Sequence, residues 1–177
     1  GLWADVPGAV PDARPMLKFR NYLASPFISR RILARFEKNG IAPGRVRLLD
    51  GQDSFQEHLA RYAQADIALD TFPFSGATTT FQALWMGVPV LSLMGGRFIT
   101  RMGGSLTAQA GLQSLTAETT EEFVARAAAL AGDLDRLRDL RATLRQRIGA
   151  SSLCDGPAYA RNVEAAFRDM WAAKRAK

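Results

Sequence analysis

The stretch Ala65-Asp66-Ile67-Ala68-Leu69-Asp70-Thr71-Phe72-Pro73-Phe74-Ser75-Gly76-Ala77-Thr78-Thr79-Thr80 decides the fold. Its first six residues, 65–70, make a short buried strand, and its end runs into a helical pattern at 79–86 that stops at Gly87. A second apolar strand follows at 88–93, Val-Pro-Val-Leu-Ser-Leu, and then the pair Gly95-Gly96. Strand, loop, helix, strand is a βαβ unit. Strands that are apolar throughout require a parallel sheet covered on both faces.

Upstream the pattern repeats. Pro7, Pro11 and Pro15 punctuate the first residues, and 16–19 is a strand-length apolar run. Ser25 stands as an N-cap with Pro26 at the first helical position, and Ile28, Ile32, Leu33 and Phe36 recur at helical spacing until Asn39-Gly40. Pro43-Gly44 turns the chain into a strand at 45–49, and Ser54 with Glu57 has the form of a capping box opening a helix through Tyr62. The expected architecture is a doubly wound, Rossmann-like α/β sheet.

Downstream the expectation is helical: 101–110 ending at Gly111, 123–131 behind a second capping box of Thr119 and Glu122, 133–148 beginning at Asp133, and 157–171 behind Pro157. One domain over 1–177 is expected, with a sheet core at about 15–115 and a helical part at about 116–177. The chain begins with Gly1 and reads as a piece of a longer protein.

Composition narrows the function classes. The 177 residues are 47% apolar and 23% charged, ordinary for a globular domain, and no apolar run reaches bilayer-spanning length, so no membrane partner is expected. Cys154 is the only cysteine and His58 the only histidine, which leaves neither a disulfide framework nor a His/Cys metal site. No secretory leader is evident, and a reducing cytoplasm is the expected home. The net charge of +6 suits an anionic partner. Its excess falls in 136–147 and 161–177, two helical patterns with solvated faces, and no basic-and-aromatic interleaving points to nucleic acid.

Ligands of open α/β sheets bind beyond the carboxyl ends of the strands, and phosphates favour the start of the helix that follows. Residues 70–80 occupy that place. Pro73 stiffens the loop, Gly76 lets the backbone approach a ligand, and three threonine hydroxyls meet the free N–H groups of the helix start. A diphosphate could be held there without a lysine. Alternatively, one threonine is simply the N-cap. Neither Gly-x-Gly-x-x-Gly after the first strand nor a Walker lysine is present, which disfavours dinucleotide enzymes and P-loop kinases.

His58 and Arg61, spaced i, i+3, share a helix face beside the same crevice and could hold a base or ribose. Asp66 and Asp70 read as turn and strand-end hydrogen-bonding residues, and Trp85, Met86, Met94 and Met102 as core packing. Arg97 and Arg101 lie near the glycine pair and stay outside the site, as does Cys154.

Residues 65–80, continued by Ala83-Leu-Trp-Met-Gly-Val-Pro-Val90, resemble the C-terminal catalytic half of O-linked N-acetylglucosamine transferases. The bacterial members with upstream tetratricopeptide repeats look most similar, and the SPINDLY-type protein O-fucosyltransferases are similar too. The resemblance runs through nearly the whole chain. It implies the second Rossmann-like domain of a GT-B glycosyltransferase, a UDP-sugar donor and no metal or cofactor. The same resemblance puts Thr78 and Thr79 on the diphosphate, His58 and Arg61 at the base, and main-chain groups about Gln52 and Asp53 facing it. Ala77 stands where the family has a histidine, and Gln82 where an acidic residue often holds the ribose.

The reaction so implied is transfer of N-acetylglucosamine from a UDP-sugar to protein Ser/Thr, with the acceptor protein engaged by an N-terminal part absent from this chain. The isolated chain is then expected to bind UDP weakly and to transfer nothing. A GDP-fucose-dependent half, a non-catalytic nucleotide-binding module and a basic domain for an acidic partner are the other readings.

Overall fold

Two parallel ladders carry the fold in the computed structural model, which describes residues 2–51 and 53–175. β1 (Met16–Lys18) pairs with β2 (Arg47–Leu49), with Lys18 opposite Leu49. β3 (Ala68–Leu69), β4 (Val90–Leu93) and β5 (Thr116–Ala117) lie side by side in that order, with Leu69 opposite Leu91 and Ser92 opposite Thr116. All these pairings are parallel, as apolar strands joined through helices require. All four residues of β4 are buried.

The helices are α1 (Leu2–Ala9), α2 (Pro26–Glu37), α3 (Phe55–Ala60), α4 (Thr78–Trp85), α5 (Met102–Gln109), α6 (Thr120–Gly132), α7 (Leu134–Gly149) and α8 (Gly156–Arg175). The larger core joins Leu84 of α4 and Leu91 of β4 to Phe123 and Leu130 of α6 and to Leu140, Leu144 and Ile148 of α7. The last three recur at i, i+4 and i+8, so one face of α7 enters the core, and each fully buried side chain contributes roughly 1.5–3 kcal/mol. A smaller cluster of Ala4, Phe36, Ile41 and Val46 packs beneath β1 and β2.

Several expected boundaries move. The strand expected at 45–49 begins with a 3₁₀ turn, Pro43–Arg45, and the helix expected through Tyr62 passes into 3₁₀ geometry over Arg61–Gln64. Ser25 holds the N-cap position but makes no capping side-chain bond, and Pro26 stands at the first helical position. Ser54 and Glu57 do form both bonds of a capping box. Thr119 accepts from Glu122 N–H, whereas Glu122 reaches back to Glu118 N–H, one residue beyond its expected partner.

Two elements escape the sequence pattern. α1 contains Pro7, read as a breaker, yet forms because Ala4 and Val6 are buried. The Arg45 guanidinium also gathers the carbonyls of Pro7 within it and of Val10 and Ala13 beyond it. β5 lies where only helix was expected; two residues with no apolar run give no periodic signal.

α4 is closed by a Schellman turn: Val88 N–H bonds Ala83 O, Gly87 N–H bonds Leu84 O, and Gly87 takes φ +79°. A Cβ at Gly87 would stand 2.7 Å from the Arg141 carbonyl. The Arg141 guanidinium donates to the carbonyls of Tyr62, Ala65 and Met86, tying α7 to the approaches of β3 and β4.

Candidate functional site

The loop between β3 and α4 is shaped by one buried carboxylate. Asp70, at the carboxyl end of β3, accepts at Oδ1 from the N–H groups of Thr71 (2.9 Å) and Gly76 (2.7 Å). At Oδ2 it accepts from the hydroxyls of Ser75 (2.7 Å) and Ser92 (2.9 Å). Ser75 Oγ in turn accepts from Gly103 N–H at the start of α5, 2.6 Å away, and Ser75 N–H reaches Ile99 O at 2.9 Å. The strand-end role expected of Asp70 is therefore present and wider than expected, because β4 bonds the same carboxylate and α5 is tied to it through Ser75.

This anchoring delivers an uncapped helix start. Ala77 is the N-cap of α4 and offers no side-chain acceptor, so no threonine is the cap. Among the described residues the N–H groups of Thr78, Thr79 and Thr80 have no protein acceptor. Thr78 and Thr79 are exposed, while Thr80 is buried. A Cβ at Gly76 would stand 2.5 Å from Thr80 Oγ1 and 3.0 Å from both Thr79 Oγ1 and Asp70 Oδ1, so only glycine lets these hydroxyls crowd the backbone. Free N–H groups, the positive end of the helix and two exposed hydroxyls make a place for an anion.

A second polar group stands beside α4. His58 Nε2 faces Gln82 Oε1 at 3.2 Å, and His58 Nδ1 lies 3.5 Å from Lys18 Nζ. Lys18 makes a 2.8 Å ion pair with Asp53, which Arg61 also grips through Nε and Nη2. Hydrogen bonds from Arg61 and then Lys18 hold the Asp53 carboxyl far below its ordinary range. The Ser54 donors lower Glu57 in the same way. The Tyr62 ring meets His58 edge-on at 5.6 Å, and its hydroxyl, its pKa raised by burial, donates to Thr79 O at 3.2 Å.

Asp53, His58, Arg61 and Gln82 thus come together in one cluster, joined through Tyr62 to the Gly76–Thr79 turn. Gln52 lies outside the described residues. Lys18 was missed by the sequence reading because β1 carries it to His58 from 40 positions away, although a lysine interrupting an apolar strand was a signal. The Arg101 guanidinium donates to Gly95 O at 3.4 Å.

An open hollow of about 240 Å³ is lined by Asp53, Glu57, Ala60, Arg61 and Gln64. A larger one, about 620 Å³, opens at the α6–α7 junction among residues such as Ala128, Asp133 and Arg138, away from every candidate residue. Among the described residues no helix is long and apolar enough to cross a membrane, and no three His, Cys, Asp or Glu side chains group as a metal site.

The sequence model of Glycosyl transferase family 41 matches residues 2–163. A Solanum lycopersicum protein, named as a probable UDP-N-acetylglucosamine--peptide N-acetylglucosaminyltransferase SPINDLY, is 38% identical over 96% of this chain and 18% of its own length. A Caenorhabditis elegans UDP-N-acetylglucosamine--peptide N-acetylglucosaminyltransferase is 30% identical over 96% of this chain and 14% of its own. Among solved structures, a mutant of the Thermobaculum terrenum O-GlcNAc transferase superposes with a TM-score of 0.88 at 40% identity, covering 96% of this chain and 32% of that one. The chain therefore spans a third or less of the length of these relatives.

Proposed function

The chain belongs to glycosyl transferase family 41, and on that premise we propose that it is the donor-binding half of a protein glycosyltransferase. It holds the diphosphate of a UDP-sugar, with N-acetylglucosamine as the sugar, against the start of α4. The uncapped turn at Ala77, with Gly76 beneath it and Thr78 and Thr79 exposed, is the observation that carries this reading. His58 and Gln82, joined to Asp53 and Arg61 through Lys18, flank the nucleoside.

In the reaction so assigned, an acceptor serine or threonine oxygen bonds to the anomeric carbon as the bond to the β-phosphate oxygen breaks. Negative charge builds on the departing UDP. The α4 N–H groups and the Thr78 and Thr79 hydroxyls face that charge, and fixed donors aimed at developing charge are a large source of rate enhancement. The acceptor surface and the group that takes the hydroxyl proton are assigned to the part of the protein outside this chain.

Calorimetric titration tests the reading. UDP binds weakly and GDP more weakly still. The double variant Thr78→Ala, Thr79→Ala loses about tenfold or more in UDP affinity, since hydrogen bonds to charged groups are worth roughly 1.5–3 kcal/mol each. Unchanged affinity in the double variant would falsify the diphosphate role. Preference for GDP moves the donor to the GDP-fucose class, and a longer form of the protein that binds UDP yet transfers no sugar points to a binding module.

A further inference from the structure

Lys18, His58 and Gln82 form a line whose hydrogen-bond direction is fixed at one end. A lysine ammonium has donors and no acceptor. It stands 3.5 Å from His58 Nδ1 and is held there by the 2.8 Å ion pair with Asp53, which Arg61 braces from another side. An N–H at Nδ1 would point at a cation with no lone pair to receive it. The neutral ring therefore keeps its lone pair on Nδ1 and carries its proton on Nε2.

Nε2 faces the Gln82 carboxamide oxygen at 3.2 Å. With that oxygen engaged, the carboxamide nitrogen is turned away from His58 and keeps both of its N–H groups for other partners. Gln82 follows Thr78 by four residues and Thr79 by three, so it shares their side of α4. The Tyr62 ring holds the imidazole edge-on, and its hydroxyl fixes the carbonyl of Thr79 in the same turn.

We propose that this line is a positioning device: Lys18, acting through the His58 imidazole, turns the Gln82 carboxamide so that the site presents an N–H donor, rather than an oxygen, to an acceptor oxygen of the bound nucleotide. The inference rests on the nucleotide reading given above. Lys18 is the positioning residue and Gln82 the group that selects. An oxygen-outward amide, like a carboxylate, would offer only an acceptor at that point and suit a hydroxyl donor. The nitrogen-outward amide instead extends the row of donors formed by the first turn of α4, and the site favours a ligand with an acceptor at that point.

His58 is the only histidine in the chain, so its ring nitrogens can be read by long-range proton–nitrogen NMR correlation with no assignment step. At neutral pH the ligand-free chain shows Nε2 protonated and Nδ1 bare. Lys18→Arg, also a pure donor, keeps that pattern, whereas in Lys18→Met the Nδ1-protonated form appears. Gln82→Leu weakens UDP binding about three- to tenfold, the loss of one hydrogen bond. Lys18→Met weakens it by a smaller factor that Lys18→Arg restores. A wild-type ring protonated at Nδ1, a Lys18→Met spectrum identical to wild type, or a Gln82→Leu chain that binds UDP as well as its parent would each overturn the proposal. The two readings fail separately. An Nε2-protonated ring in a chain that binds no UDP sinks the nucleotide assignment and leaves the line from Lys18 to Gln82 intact. UDP binding with an Nδ1-protonated ring does the reverse.

Discussion

Arg61 closes on Asp53 with two parallel contacts, Nε to Oδ2 at 2.6 Å and Nη2 to Oδ1 at 2.7 Å. Lys18 adds a third to the same carboxylate at 2.8 Å. Because these partners depress the Asp53 pKa in the folded chain, their stabilisation is complete above the ordinary aspartate value of 3.8 and is lost as pH falls from there toward the folded value. Asp53→Asn is accordingly less stable than wild type near neutrality. The gap between their urea midpoints stays constant down to about pH 5 and narrows below about pH 4. A gap that widened in acid would contradict the ion-pair assignment.

Gly76→Ala puts a methyl group 2.5 Å from Thr80 Oγ1, and the neighbours it meets belong to the loop's own framework. The cost is about 1–3 kcal/mol, typical of overpacking. Thermal melting reads that loss, and titration at a temperature where the variant is folded shows UDP affinity falling with it.

Asp70→Ala strands the buried hydroxyls of Ser75 and Ser92 and unpairs the N–H groups of Thr71 and Gly76 nearer the surface. A loss of at least about 2 kcal/mol follows, since each buried unsatisfied group costs about 1–3 kcal/mol. Ser92→Ala, which removes one of the four, costs roughly 1 kcal/mol. Gly103→Ala is as damaging as Asp70→Ala, because its Cβ would stand 1.9 Å from Asp70 Oδ2. Denaturant melts of the three variants should rank Ser92→Ala mildest.

Arg141→Ala releases three carbonyls, those of Tyr62, Ala65 and Met86, none of which belongs to the turn that carries Thr78 and Thr79. Stability falls by about 1–3 kcal/mol, while UDP affinity measured on the folded chain is retained. A variant that melted like wild type would show that water replaces the guanidinium without cost.

Much of this arrangement was legible in the sequence because its signals are local. Gly76, the threonines and Gly87 mark the two ends of α4, and the Ser54–Glu57 pair places His58 and Arg61 on one helix. Lys18, Ser92 and Gly103 were not legible, since each reaches the site only when parallel pairing and helix packing bring distant segments together. Thr119 shows a local rule met in half, with Glu122 turned to the preceding residue. α1 and β5 were hidden for opposite reasons: Pro7 argued against a helix that burial enforces, and two residues are too few to show a period.

The residues that hold the β3–α4 loop and the residues that open α4 are separate sets. Asp70, Ser75, Gly76, Ser92 and Gly103 bond or crowd one another, whereas Ala77, Thr78 and Thr79 lend no side-chain bond to that framework. Substitution in the second group leaves the scaffold standing. Single changes at 77–79 can therefore retune how this helix start meets an anion while the loop's framework stays in place.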